Sequence, residues 1–297
     1  MTPREEGFLL LTSQLGDPNR RPLTGAQVRT LAERVRSVER IPEDRELESR
    51  DLMAMGYGRE MAERILGLLD DAVLLKHYLR RGERAHCRPI SRVSEDYPIT
   101  VHNRLGMDAP GCLWARGDLS FLSRPAVALV GSRELREENL IFAREVGRQA
   151  ARQGFVLVSG NARGADRAAQ EGCLAAGGDV IAVVADELER HEACEHILYL
   201  SEDGFDMPFS AQRALSRNRV IHCMGLRTFV AQSGYQHGGT WDGTVRNLRF
   251  GWSPVYCYAD GSPASVLLQE MGAQGIGLEH LHDIATLSVR FFGLFDQ

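Results

Sequence analysis

The sequence is poor in several features that would assign it quickly. Its six cysteines, at 87, 112, 173, 194, 223 and 257, are never closer than 21 positions. That spacing excludes a Cys-x-x-Cys ribbon or redox pair. No secretory apolar segment is read near the start, so reduced thiols and a cytoplasmic location are expected. No apolar run is long enough to span a bilayer. Internal repeats and low-complexity tracts are missing, which argues against solenoids and disordered tails. There is no excess of positive charge either: 35 Lys and Arg stand against 40 Asp and Glu, a net of −5. A non-specific polycation is therefore excluded, and any nucleic-acid surface must be a local patch. No Gly-x-Ser-x-Gly elbow surrounds Ser159 or Ser233, which leaves nucleophilic catalysis unsupported. His191, Cys194 and His196 give three potential metal ligands without a second half-site, so a solvated helix or loop is expected and no metal.

What is present is a change of rhythm. Residues 1–85 read as a helical domain. Thr24 is a candidate N-cap ahead of Val28, Leu31, Ala32 and Val35, and Met61, Ile65, Leu68 and Leu69 repeat the helical spacing. Arg80-Arg81-Gly82 reads as a charged last turn followed by a terminating glycine. Residues 86–125 carry Pro89, Pro98, Pro110 and Pro125 and read as a connector with short strands such as 112–115. From Ala126 onward, apolar strands (126–130, 155–159, 180–184, 227–231, 255–258) alternate with helical patterns (137–153, 165–176, 241–250). Nearly all-apolar strands between helices indicate an α/β class: a mostly parallel sheet covered on both faces, spanning 86–297. Ligands of such sheets sit beyond the carboxyl ends of the strands.

Three loops occupy that edge. Gly131-Ser132-Arg133 follows the first strand. Ser159-Gly160-Asn161-Ala162-Arg163-Gly164-Ala165-Asp166 follows the second. Gln232 to Thr240, containing Gly238 and Gly239, follows the 227–231 strand. Each combines glycine, a hydroxyl residue and a helix start, whose free amides and partial positive charge suit an anion, foremost phosphate. Asp166 is expected to cap its helix or orient Arg163. A fourth element, Arg213 to His222, holds Arg213, Arg217, Asn218 and Arg219, preceded by the acidic Glu202, Asp203 and Asp206. Guanidinium groups suit bidentate phosphate contacts and base stacking.

These segments in order, with Ile90-Ser91 and Asp96-Tyr97-Pro98 before them and Met271-Gly272-Ala273 after, resemble the motifs of the DNA-processing protein A family (DprA, also called Smf) from about residue 85 to 276. The resemblance implies an extended Rossmann-like domain after a small SAM-like or helix-hairpin-helix-like domain. It also implies binding of single-stranded DNA during natural transformation, help in loading the RecA recombinase, and self-association as a dimer, with no cofactor and no membrane. Carried over by motif, Gly131, Ser132, Arg133, Ser159, Gly160, Arg163, Gly164, Asp166, Arg217, Asn218 and Arg219 would form the DNA-phosphate pocket, and Gly238, Gly239 and Thr240 would cap it. The chain departs from the family at Gln170, where histidine is usual, and at Thr240-Trp241-Asp242-Gly243. It also shows no Tyr-Pro loop in 185–210. A divergent member without the winged helix is expected.

The rival reading is an enzyme. The layout is similar to the lysine-decarboxylase-like phosphoribohydrolases, which cleave nucleoside monophosphates with a glutamate after a Gly-Gly-x-Gly-Thr motif. Counting from Gly239-Thr240, that glutamate's place is taken by Gly243, with Asp242 one position away. Gly56-Tyr57-Gly58 before Ala62 fits a helix-hairpin-helix turn that contacts DNA phosphates and equally an ordinary interhelical turn. Trp114, Trp241 and Trp252 are expected in the core, Trp241 being the best placed to stack a base.

Overall fold

The computed structural model describes residues 1–37, 47–202 and 204–287; Asp203 and the last ten positions of the expected 86–297 domain lie outside them. Five helices come first: α1 (Pro3–Thr12), α2 (Gly25–Arg36), α3 (Ser49–Ala54), α4 (Arg59–Asp70) and α5 (Ala72–Arg84). Thr24 caps α2 by accepting from the Gln27 amide, with the Gln27 side chain returning to the Thr24 amide. Leu31, Leu52, Ile65 and Leu68, from α2, α3 and α4, build a small core against which Phe8 and Leu11 of α1 pack. Gly56-Tyr57-Gly58 makes the turn between α3 and α4, and the Arg34 guanidinium lies 4.2 Å over the Tyr57 ring.

The expected helix end at Gly82 is not where α5 stops; it continues to Arg84. Gly82 is there for a different reason. A Cβ would stand 2.6 Å from the Trp114 ring. The contact lets α5 dock on the sheet, where Tyr78, Trp114 and Phe205 form an aromatic cluster with centroids 4.8–5.2 Å apart.

The rest is one nine-stranded sheet: β1 (Arg88–Ser91), β2 (Cys112–Arg116), β3 (Ala126–Val130), β4 (Val156–Ser159), β5 (Val180–Val184), β6 (Ile197–Glu202), β7 (Thr228–Val230), β8 (Val255–Tyr258) and β9 (Gln274–Ile276). The helices between them are α6 (Ile99–Leu105), α7 (Glu137–Arg152), α8 (Ala165–Ala175), α9 (Ala211–Met224), α10 (Gly239–Phe250) and α11 (Pro263–Glu270). The spatial order is β1-β2-β6-β5-β4-β3-β7-β8-β9. Every pair from β6 to β9 is parallel, and β1 and β2 extend the β6 edge antiparallel. The proline-rich connector, with its expected short strands, contributes two of them, β1 and β2, to the main sheet.

Alternation decides which face each strand residue serves. Val127 and Leu129 join α7 and α8, whereas Ala126, Ala128 and Val130 join α6, α9, α10 and α11. Chain order reverses at β3, whose neighbours are β4 and β7, so the crevice for a ligand is set between the ends of β3 and β7. No described helix is long and apolar enough to cross a membrane.

On the first face, α7 and α8 pack so closely that a Cβ on Gly147 would penetrate the Ala169 carbonyl. Overpacking of this kind costs about 1–3 kcal/mol. Gly147→Val is therefore expected to lower the urea midpoint by an amount corresponding to at least the upper part of that range. An unchanged midpoint would contradict the close approach.

Candidate nucleic-acid interface

The three strand-end loops are stitched together by backbone geometry. Ser132 donates both its amide (3.0 Å) and its hydroxyl (3.2 Å) to the Gln232 carbonyl. The Gln232 side chain accepts from the Arg136 amide at 2.9 Å and donates to the Glu134 carbonyl at 3.3 Å. Ala165 donates its amide to the Ser132 carbonyl at 3.2 Å, which ties the second loop to the first. Gln232 is an organising residue that the motif reading passed over, because its partners are about a hundred positions away.

Above these loops lies a cavity of about 470 Å³. Gly131, Ser132, Arg133, Asp166, Arg217, Asn218, Gly238, Gly239 and Thr240 all line it. Gly238 caps α10 without a side-chain acceptor, so the amides of the first turn are left for a ligand. Asn218 donates to the Gly239 carbonyl at 3.1 Å and fixes the start of α10 against α9.

The remaining candidates fall elsewhere. Ser159 is fully buried and accepts from the Gln170 side chain at 2.7 Å. Gly160 lies beneath the pocket, and a Cβ there would fall inside the Arg217 guanidinium. Gly164 packs on the Ser132 and Arg133 carbonyls at φ +81°. Arg163 is exposed, outside the cavity lining, and makes no hydrogen bond or ion pair among the described residues. Of the three α9 arginines, only Arg217 enters the cavity. Arg219 pairs with Glu202 at 3.0 Å and reaches the Asp108 carbonyl. Arg213 binds the carbonyls of Ala185, Met207 and Pro208 and the Ser201 hydroxyl. Asp166 neither caps its helix nor bonds Arg163: its carboxylate accepts from the Ala162 amide at 3.1 Å, ahead of α8, and faces Arg217.

Arg217 sets the electrostatics. It is 8% exposed, its guanidinium makes no hydrogen bond among the described residues, and its Nε is a buried donor with no acceptor among them. Burial works against its charge, and the Asp166, Glu202 and Asp186 carboxylates oppose that loss. Burial likewise pushes the Asp166 carboxyl up, against the pull of Arg217, the Ala162 and Gly160 amides, and Arg133. A buried guanidinium with open donors at the floor of a cavity is a site that an anion completes.

The first turns of α10, at Trp241–Gly243, face a second cavity. Asp242 lines that one and not the cavity over Arg217. A Cβ on Gly243 would lie 3.1 Å from Nε2 of the buried His222, so the imidazole occupies the direction a glutamate would need. Trp114, Trp241 and Trp252 are buried. His191 and His196 turn to different carboxylates, Asp186 and Asp179, each at 2.8 Å, and do not converge.

His222 Nδ1 accepts from Asn247 at 3.0 Å, and Asn247 bonds Ser253 in turn. Burial lowers the His222 pKa from 6.5 to about 3. A depressed pKa means that stability is complete above the unfolded value and is lost as protonation becomes possible. The urea midpoint should therefore fall as pH drops from 6.5 towards about 3. The portion between pH ~6.5 and ~5 precedes most carboxylate titration and should flatten in His222→Asn. An unchanged slope in that variant would refute a neutral buried imidazole.

Known proteins supply an independent comparison. The chain shares 29% identity over 162 residues with DNA processing protein DprA of Bacillus subtilis, and 39% over 82 residues with that of Streptococcus pneumoniae. These stretches cover 50% and 28% of this chain but only 53% and 29% of the relatives' own lengths. The crystal structure of the Streptococcus pneumoniae protein superposes with a TM-score of 0.71 at 25% identity, covering 93% of this chain and 95% of that one. The DNA processing protein A of Helicobacter pylori, described for its single-stranded DNA binding mode, shares the fold at a TM-score of 0.56 and 21% identity over 67% of this chain and 96% of that one. Residues 88–246, more than half of the chain, match the family described as DNA recombination-mediator protein A, and the chain belongs to that family.

Proposed function

We propose that the chain binds single-stranded DNA without catalysing a reaction on it, as a mediator of DNA recombination during uptake of foreign DNA. The observation that carries this reading is Arg217: a buried cation with open donors, at the floor of a cavity whose rim holds Arg133 and the uncapped start of α10. A phosphate oxygen supplies the acceptor that the protein withholds. Family membership and the relative described for single-strand binding point the same way. Loading of a RecA-type recombinase, self-association as a dimer, a cytoplasmic location and a division near residue 85 go with the family reading. Arg163, Arg167 and Arg133 are exposed and without hydrogen bonds or ion pairs among the described residues, and they extend the cationic rim along the start of α8.

The phosphoribohydrolase reading fails at one position. Its glutamate would stand at 243, where the chain has glycine against His222. The neighbouring Asp242 faces the other cavity. Incubation with AMP should release no adenine, and release abolished by Asp242→Ala would restore the enzyme reading.

Binding is read by fluorescence anisotropy with labelled oligonucleotides over a salt series. Arg133→Ala, at an exposed position, should weaken single-strand binding about tenfold and reduce the log–log salt slope by about 0.7, the loss of one phosphate contact. Gly160→Ala should weaken binding further by displacing the Arg217 guanidinium. Wild-type affinity in both variants would refute the pocket.

A further inference from the structure

The cavity is larger than a phosphate needs and is not polar throughout. Its volume of about 470 Å³ falls in the range of sites for nucleotide-sized ligands, about 300–1,000 Å³. Phe209 and Leu215 line it opposite in character to Ser132, Arg133 and Arg217. They are 55% and 49% exposed, so their apolar faces stand open beside the cationic floor. Leu215 reaches to within 3.0 Å of the place a Gly239 Cβ would take, so the apolar patch runs directly into the start of α10.

Phe209 is also held in place. Arg213 donates to the Met207 and Pro208 carbonyls, at 2.8 and 2.9 Å, fixing the two residues before it. The following residue, Ser210, caps α9 by accepting from the Arg213 amide at 3.1 Å. Three residues upstream, Asp206 accepts from the Tyr78 hydroxyl at 2.6 Å and pairs with Arg81 at 3.1 Å. An exposed ring on a loop secured on both sides gives little entropy away when a ligand stacks on it.

We propose that Phe209 and Leu215 form a shelf on which a nucleobase stacks while its phosphate sits over Arg217. The proposal rests on the single-strand reading and names what that reading leaves open: how unpaired bases are preferred to paired ones. A base inside a duplex has both faces covered and its edge engaged, so it cannot lie on the shelf. A strand with free bases can, and any of the four bases presents the required face. The shelf thus confers preference for single strands without preference for sequence.

The test compares oligo-dT with an abasic oligonucleotide of the same length and backbone, using the full chain. Phe209→Ala should weaken oligo-dT binding by about 5- to 150-fold, the range for one stacked base. It should leave binding of the abasic strand unchanged, and Phe209→Trp should retain the oligo-dT affinity. Unchanged oligo-dT affinity in Phe209→Ala, with wild-type binding intact, overturns the shelf while leaving the phosphate pocket standing. Equal weakening towards both oligonucleotides also overturns it, because the ring then acts on the loop and not on a base. A wild-type protein that binds neither strand removes the single-strand reading and the shelf together.

Discussion

The interaction on which the cavity depends is a close approach between a charge and a backbone. The Arg217 guanidinium lies against the Cα of Gly160, beneath the loops that end β3 and β7, and faces Asp166 without an ion pair. A charge in this position is costly when its donors are open, by several kcal/mol for a fully desolvated ion. The surrounding structure tolerates it by placing carboxylates at Asp166, Glu202 and Asp186 within electrostatic reach. None of them takes the Nε proton. The fold therefore leaves open donors at the cavity floor, and the bonds of Gln232 to the Arg136 amide and of Asn218 to the Gly239 carbonyl tie the surrounding loops together.

Much of the fold was legible because parallel strands buried on both faces are nearly uniform in sequence. Ala126–Val130 and Val180–Val184 are apolar at every position and buried at every position. The sixth strand, Ile197–Glu202, is less regular: it ends in Ser201 and Glu202, which are buried through contacts made by α9 and not through apolar character. The last strand has three residues, too few for any period to register. Gly82 was misread because a glycine after two arginines looks like a terminator, whereas its role is set by a tryptophan 32 positions later.

The site was legible as loops but not as individual side chains. Glycine, serine and arginine at strand ends pointed to this edge of the sheet, and most of the named residues line one cavity there. The three arginines of α9 looked equivalent in one dimension. What separates them is the set of acceptors brought by distant segments: the Ala185 carbonyl for Arg213, Glu202 for Arg219, and, among the described residues, none for the Nε of Arg217. Phe209 was missed for the opposite reason. A lone aromatic after proline in a polar stretch has no motif, and its exposure follows from the Arg213 contacts that hold its loop.

The contact of Asp206 with Tyr78 and Arg81 joins the N-terminal helices mechanically to the cavity wall. The helices before residue 85 are attached to the loop that carries Phe209, through the same aromatic cluster that seats α5 on Trp114. Separating them would bare Trp114 and Phe205 and release the strut behind the cavity wall at once. The helical segment is in this sense masonry of the cavity, and a substitution in α5 at Tyr78 or Arg81 is felt at the loop that carries Phe209.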